Sequence, residues 1–460
     1  MQSYDLIVIG SGPAGQRAAI QGAKFGKGVA VVERRECIGG ACINTGTIPS
    51  KTLREAVMHL SGYAYQGIYG VNYRVKDKIT MADLAFRVQH VIKTEIDVTV
   101  SQLSRNGVSM LYGSAKFLDP HTLRIESLTG AVDYRAENIV IATGTKPAAS
   151  PKVPYNNRNI INSDQILNMP EIPKTFIVVG GGVIGVEFTC MFAALGVRMI
   201  LVEKRPRLLE FADGEMVEAL SYHLRDTRVT MRLNEEVSSV EEMPDGSVVA
   251  NLESNKKITG SALLYAVGRQ GNVDELNLEA AGLDADDRGR IKVDADFRTK
   301  VPHIFAAGDV IGFPSLASTS MEQGRIAACH AFGAPMPPAP EYFPYGIYAV
   351  PEISTVGLTE QEVKAKGMKF EVGIGRFRET SRGHIMGLQT GMMKMLFSLA
   401  DRRLLGVHII GEGATELIHI GQAVLNLGGT VDYFVENAFN YPTLAEAYKI
   451  AALDAFNRMR

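Results

Sequence analysis

The chain has 460 residues, 46% of them apolar and 21% charged, with four cysteines and a formal net charge of -2. This is the composition of an ordinary globular protein with room for about three domains. The near-zero charge gives no electrostatic case for nucleic acid or a membrane surface, and so few cysteines exclude a disulfide scaffold and suit a reducing compartment. The N-terminal M-Q-S-Y-D-L-I-V-I-G reads as a strand, without the basic region and cleavage site of a secretory signal. No apolar run approaches the roughly 18 residues of a membrane span, so the cytoplasm is the expected location.

Near the start, Y-D-L-I-V-I-G-S-G-P-A-G sets an apolar strand directly before Gly10, Gly12 and Gly15, and R-A-A-I-Q-G-A-K continues as a helix. A second strand, V-A-V-V-E, ends in Glu33. This is the dinucleotide fingerprint, and each part has a physical reason. The first glycine makes the tight turn, the second lets the backbone approach a pyrophosphate, and the third lets helix and strand pack closely. The helix N-terminus supplies donors and positive potential, and the acid takes the ribose hydroxyls. Residues 37–51, C-I-G-G-A-C-I-N-T-G-T-I-P-S-K, then place Cys37 and Cys42 five apart, the spacing of a redox-active disulfide. Farther on, the apolar strand I-V-I-A-T-G-T-K-P leads to Gly144, and the Pro-rich 146–154 reads as a crossover.

The fingerprint then recurs. T-F-I-V-V-G-G-G-V-I-G supplies Gly180, Gly182 and Gly185, V-E-F-T-C-M-F-A-A-L a helix, and M-I-L-V-E a strand ending in Glu203. A lone G-x-G-x-x-G also arises where glycines mark turns; two complete units point to two bound dinucleotides. A-V-G-R-Q-G-N at 266–272 reads as the return to the first domain. T-K-V-P-H-I-F-A-A-G-D, from Thr299 to Asp309, predicts an apolar strand closing on Gly-Asp. In two-dinucleotide flavoproteins the Asp of such a pattern binds the flavin ribityl chain. FAD is therefore expected in the N-terminal unit and a nicotinamide nucleotide in the unit that interrupts it. A Pro cluster at 334–344 marks off a C-terminal domain in which strand patterns (K-M-L-F-S-L, L-L-G-V-H-I-I-G) alternate with two amphipathic helices and no phosphate loop. Such a module is most often an interface.

The expected fold is α/β, with two Rossmann-like dinucleotide-binding domains, for FAD and NAD(P), and a C-terminal α+β interface domain. Residues 1–148 would form the first segment of the FAD domain and 149–272 the NAD(P) domain. Residues 273–338 would form the second, central segment of the FAD domain and 339–460 the dimerisation domain.

Over essentially its whole length the chain resembles the pyridine nucleotide-disulfide oxidoreductases, the family of lipoamide dehydrogenase, glutathione reductase and mercuric reductase. The family's redox motif, G-G-x-C-x-N-x-G-C-I-P-S-K, is filled here by G-G-A-C-I-N-T-G-T-I-P-S-K. Cys42 takes the first cysteine position and Thr47 the second, while Cys37 falls before the Gly-Gly. The second cysteine is the one that exchanges electrons with the flavin, which a threonine hydroxyl cannot do. The family's C-terminal H-x-H-P-T-x-S-E, whose histidine serves the thiol as base across the dimer interface, reads F-N-Y-P-T-L-A-E, with Tyr441 in place of the base and Glu446 kept. Losing both nucleophile and base removes thiol chemistry. The same pair of losses, with N-T-G-T-I-P-S-K-T-L-R-E-A-V and E-L-I-H-I-G-Q-A, resembles one branch of the family, the soluble pyridine nucleotide transhydrogenases.

What the resemblance implies is FAD-dependent hydride exchange, NADPH + NAD⁺ ⇌ NADP⁺ + NADH. The hydride would enter and leave at flavin N5 by a ping-pong route through one nucleotide site. Lys51 resembles the lysine beside flavin N5, and Glu187, in G-x-G-x-x-G-x-E, the acid paired with it; alone, each would read as an ordinary first-turn residue. Thr47 and Tyr441 complete the implied catalytic set. FAD contacts are implied at Gly40, Cys42, Lys51, Ala115, Gly144, Asp309 and Ala317, and NAD(P) contacts at Val237 and Gly268. Glu203 should accept the 2′-hydroxyl of NADH and repel the 2′-phosphate of NADPH. Lys204, Arg205 and Arg207 beside it have two readings, a basic loop that neutralises that phosphate or a solvated basic turn. A homodimer or larger assembly is implied because Y-P-T-L-A-E resembles a segment that completes the partner's site.

Other readings stay open. A thiol-free NAD(P)H:quinone reductase or diaphorase would share every motif above, as would a flavoprotein whose reduction state a partner reads. A disulfide reductase would need Cys37 and Cys42 to pair. Cys42 has two readings, a sensor thiol or a small buried side chain; Cys190 and Cys329 fall in apolar helix patterns and read as core. None of the nine histidines has a metal-ligand spacing, and His419 reads as part of an interface helix. Tyr441 is expected to close the cavity left by the missing histidine.

Overall fold

The run Leu6–Ile9 is buried at every side chain, as a parallel strand covered on both faces must be. It is the centre of the first sheet in the computed structural model, which describes residues 1–70, 72–336 and 339–459. Strand Gln2–Ile9 pairs in parallel with Val29–Glu33 on one side and Gly130–Ile141 on the other. Ser109–Tyr112 and Ile304–Ala306 extend the parallel array at its two ends. The first half of Gly130–Ile141 pairs instead with an antiparallel hairpin, Thr122–Ser127 and Ser114–Asp119. Alternate side chains feed two cores: Leu6 and Val8 meet Ala18 and Phe305 on one face, while Ile7 and Ile9 meet Phe117 and Leu123 on the other. Helices Pro13–Lys24 and Ala317–Ala331 cross so closely that a methyl on Gly324 would overlap the Ala14 carbonyl.

These elements belong to one compact unit, Met1–Leu53, Ala85–Ala149 and Gly268–Pro340; the second comprises Arg54–Leu84, Ser150–Val267 and Glu341–Arg460. The second unit repeats the order of four parallel strands of the first, with an outer fifth strand that precedes the other four in sequence instead of following them. Its parallel sheet runs Thr230–Leu233, Arg198–Glu203, Thr175–Val179, Ala262–Tyr265, Ile160–Asn162, and a three-stranded antiparallel sheet over 237–260 packs against it. It also holds an antiparallel five-stranded sheet, ordered Tyr345–Ile347, Ile353–Gly357, Leu404–Ile410, Met392–Ser398, Phe370–Arg376. Helices Ala414–Asn426 and Glu446–Arg458 complete the core of that sheet around Phe397, Phe434 and Tyr448. Within this unit Lys394, 1% exposed, pairs with Asp213 at 3.1 Å and with Glu360. A lone ammonium could not stay buried; this one has carboxylate partners.

Two local expectations change. The strand expected over Thr299–Asp309 is only Ile304–Ala306, because Thr299 closes a turn, its hydroxyl reaching the carbonyls of Val301 and Ile304, and Pro302 has no N–H for a ladder. Helix Met81–Arg105 had no counterpart in the sequence reading, since its many β-branched residues between Val88 and Val100 carry as much strand as helix character. Pro337 and Pro338, in the cluster read as the boundary of the C-terminal domain, lie outside the described residues.

Candidate functional site

The two phosphate loops are built alike. In each, the first glycine has positive φ (107° at Gly10, 113° at Gly180), and its N–H donates at 2.8 Å to the second strand, at Val32 and Val202. A side chain there would strike the carbonyl of Ala142 or Ala266, each just past the end of the neighbouring strand. The third glycine packs helix on strand: a methyl on Gly15 would overlap the Gly10 carbonyl, and one on Gly185 that of Gly180. The middle glycine is different. A methyl on Gly182 would meet no atom within 4 Å, and one on Gly12 only Gly40 Cα at 4.0 Å. Space therefore lies open at the N-termini of helices Pro13–Lys24 and Val183–Ala194, neither of which has a side-chain cap. Uncapped N–H groups facing open space suit a pyrophosphate.

The acids at the strand ends are buried, Glu33 at 6% and Glu203 at 3% exposure. Glu33 Oε2 accepts from the Ser11 hydroxyl at 2.5 Å and the Ser11 N–H at 3.2 Å, and Oε1 from the Arg35 N–H at 2.9 Å. Glu203 Oε2 accepts from the Gly181 N–H at 2.5 Å and Oε1 from the Arg205 N–H at 2.9 Å. The Arg205 guanidinium then adds a fork, Nε to Oε1 at 2.9 Å and Nη2 to Oε2 at 3.0 Å. Burial alone would raise the pKa of Glu203, but the Arg205 fork and the two backbone donors hold it below the usual carboxylate range. Ser11 and Gly181 were missed by the sequence reading; the available signal was their place between the first two glycines, next to the acid in space.

In the first unit, Ser11 Oγ also accepts from the Gly39 N–H at 2.9 Å, pinning the segment that holds Gly40, Cys42, Thr47 and Lys51 to the first phosphate loop. All four cysteines are free; Cys190 and Cys329 are buried, Cys42 is half-buried and Cys37 exposed. Burial pushes the Cys42 thiol up, although a hydrogen bond to the Thr47 side chain opposes it. Lys51 is half-buried on helix Thr47–Ser61 and donates to Ser50 Oγ at 3.3 Å. Asp309 accepts from Thr145 Oγ1 at 3.2 Å, next to Gly144. Ala317 begins a helix with no side-chain cap, and Ala115 is buried in strand Ser114–Asp119 with its backbone in the hairpin. Thr45 Oγ1, Thr143 Oγ1 and Asn272 Oδ1 are buried in this unit with no hydrogen-bond partner among the described residues. Buried polar atoms of this kind call for a polar group, so the residues present fit a large polar cofactor.

The remaining candidates fall as follows. Gly268, at φ 135°, begins the return to the first unit, with open space where a side chain would be. Glu187, 3% exposed, accepts from the Tyr348 N–H at 2.8 Å. Val237 is half-buried at the start of strand Val237–Glu242. Lys204 is exposed, and Arg207 is occupied by the carbonyls of Glu210 and Ala212. Tyr441 is 72% exposed, its hydroxyl 2.7 Å from Ser381 Oγ, and Glu446 accepts from the Ser381 N–H at 3.3 Å. His419 is exposed on helix Ala414–Asn426. Among the described residues no group of three or more His, Cys, Asp or Glu could hold a metal, and no helix is long and apolar enough to cross a membrane.

Residues 4–324 match the family described as pyridine nucleotide-disulphide oxidoreductase, and 343–452 that family's dimerisation domain. The chain belongs to the pyridine nucleotide-disulphide oxidoreductases. A soluble pyridine nucleotide transhydrogenase of Mycobacterium tuberculosis (strain ATCC 25177 / H37Ra) is 53% identical over 100% of this chain and 98% of its own. That of Erwinia tasmaniensis is 44% identical over 99% and 98%. Among solved structures, the HOCl-induced flavoprotein disulfide reductase RclA from Escherichia coli aligns with a TM-score of 0.88 at 27% identity, covering 98% of this chain and 99% of that one. LpdA from Mycobacterium tuberculosis shares the fold, with a TM-score of 0.90 at 24% identity over 98% and 99%. As a pyridine nucleotide-disulphide oxidoreductase the chain is an enzyme of FAD and pyridine nucleotides, and its two strand–loop–helix units are the dinucleotide folds that membership requires.

Proposed function

We propose that this protein is an FAD-dependent soluble NAD(P)⁺ transhydrogenase, NADPH + NAD⁺ ⇌ NADP⁺ + NADH. Both nucleotides would use one site in turn, in a homodimer or larger assembly in the cytoplasm. Residues 1–148 and 273–338 carry the flavin in this reading, 149–272 the nucleotide, and 339–460 the interface. The observation that carries it is Thr47 beside Cys42. Where the family has its second redox cysteine, this chain has a hydroxyl hydrogen-bonded to the free Cys42 thiol, and a hydroxyl forms no disulfide, so no sulfur sink competes for the electrons. The names of the full-length relatives support the same reading.

FAD, when bound, supplies a two-electron carrier able to take hydride from one nicotinamide and hand it to another. The chain's own residues bind and orient. Gly12 and the uncapped helix behind it receive one pyrophosphate, Gly182 and its helix the other, and Glu33 and Glu203 each accept ribose hydroxyls. Lys51 supplies positive charge on the flavin side, and Asp309, steadied by Thr145, accepts from the ribityl hydroxyls. Glu187 is held in place by the Tyr348 N–H and serves the nicotinamide end. Tyr441 replaces a base that this reaction does not need.

The test is anaerobic hydride transfer from NADPH to thio-NAD⁺ with both nucleotides varied. Fast turnover with parallel double-reciprocal lines is expected. Negligible turnover, with rapid bleaching of the flavin by NADPH in the same sample, would overturn the proposal and point to quinone acceptors.

A further inference from the structure

The two strand ends are alike in sequence, Glu33-Arg34-Arg35 and Glu203-Lys204-Arg205, and in both the arginine N–H donates to glutamate Oε1 at 2.9 Å. Their side chains differ. On Glu33 the Ser11 hydroxyl occupies Oε2, and Arg35 is exposed. Gly181 has no side chain at the corresponding place, and the Arg205 guanidinium closes over both oxygens of Glu203. Its third nitrogen lies a loose 3.6 Å from the exposed Glu210, and the side chain is 38% exposed.

We infer that Arg205 is the residue that lets one site accept nucleotides with and without a 2′-phosphate, by moving between Glu203 and that phosphate. The inference rests on the reading that both nucleotides enter the unit of Gly180–Gly185. Glu203 alone accepts a 2′-hydroxyl but repels a group carrying ~1.5 to 2 negative charges. A planar guanidinium fork matches carboxylate and phosphate equally well. When it swings out, Glu203 is not stranded, because Oε2 keeps the Gly181 N–H and Oε1 the Arg205 N–H. The backbone holds the acid in place, so the guanidinium can move without leaving a buried oxygen bare. Arg207 cannot take this role, since the carbonyls of Glu210 and Ala212 hold it. Lys204 is a point charge with no hydrogen-bond or ion-pair partner among the described residues, and is the rival to exclude.

The test is calorimetric titration of the flavin-loaded protein with two probes, adenosine 2′,5′-bisphosphate and AMP, in wild type, Arg205→Gln and Lys204→Gln. Arg205→Gln should weaken the bisphosphate about 10- to 100-fold, the worth of a charge-assisted fork, and AMP by no more than about threefold, with Lys204→Gln near wild type for both. Thermal melts check that the variants are folded, and Arg205→Lys should restore part of the bisphosphate affinity. Equal loss of both probes in Arg205→Gln, no loss of either, or a selective loss in Lys204→Gln instead would overturn the assignment. A wild type that binds AMP but not the bisphosphate would instead sink the single-site reading on which it rests.

Discussion

The loops at Gly10–Gly15 and Gly180–Gly185 share their turn, their helix packing and their open middle position, yet hold their acids differently. Glu33 accepts from the Ser11 hydroxyl and from two backbone N–H groups, fixed uncharged donors that suit a cofactor that stays bound. Glu203 is clasped by a guanidinium, so the charge at that site depends on where one side chain points. At the corresponding place in the two loops, Ser11 puts a hydroxyl on its acid, whereas Gly181 offers only its N–H and the guanidinium takes both oxygens. Backbone geometry makes a dinucleotide site; one side chain beside the acid decides how fixed its charge is.

The largest effects should come from what the loops share. Gly15→Ala and Gly185→Ala each drive a methyl into a carbonyl oxygen, and each should destabilise its own unit by about 3 kcal/mol or more. Thermal unfolding and flavin content would show it; a variant that melts like wild type would break the structural equivalence. Gly12→Ala and Gly182→Ala meet open space and should leave the melting temperature nearly unchanged. Gly12→Ala should lose FAD on dialysis, and Gly182→Ala should keep FAD but bind AMP about tenfold more weakly, the loss of about 1.4 kcal/mol in pyrophosphate contact.

Exchanging the residue that differs sharpens the comparison. Ser11→Gly removes the 2.5 Å bond to Glu33 and should destabilise by about 1–2 kcal/mol, less if the Arg35 side chain closes on Glu33 as Arg205 does on Glu203. A crystal structure of the variant with Arg35 still exposed would show that Ser11 is not what separates the two sites. The smallest effect is on acid stability. The folded-state pKa of Glu203 is depressed, so its contribution is present above the unfolded value of about 4.3 and lost as pH falls through the folded one. Wild type and Arg205→Gln should therefore draw together in stability as pH falls below the unfolded value of about 4.3 and differ by a constant amount well above it. Urea unfolding at a series of pH values would check it, and a gap that widened toward low pH would mean that the fork does not depress Glu203.

The strands, both glycine loops, their helices and the acids were legible because each is local: apolar runs, three glycines at fixed spacing and an acid at a strand end follow from backbone geometry over about 30 residues. The loss of the second cysteine at Thr47 was legible for the same reason, since its neighbours keep the motif's frame. The extent of the strand before Asp309 was not, because Thr299 and Pro302 set a turn that apolarity does not reveal. Nor did the sequence separate Arg35 from Arg205. Both sit two residues after a buried glutamate, and what tells them apart is a residue 22 positions upstream of each acid, brought beside it by the fold. Sequence by itself determined that two dinucleotide sites exist and that the disulfide frame lacks a cysteine. Only tertiary structure decided which acid is clasped by a guanidinium, because that depends on which side chain reaches a buried carboxylate, and that contact is made through space.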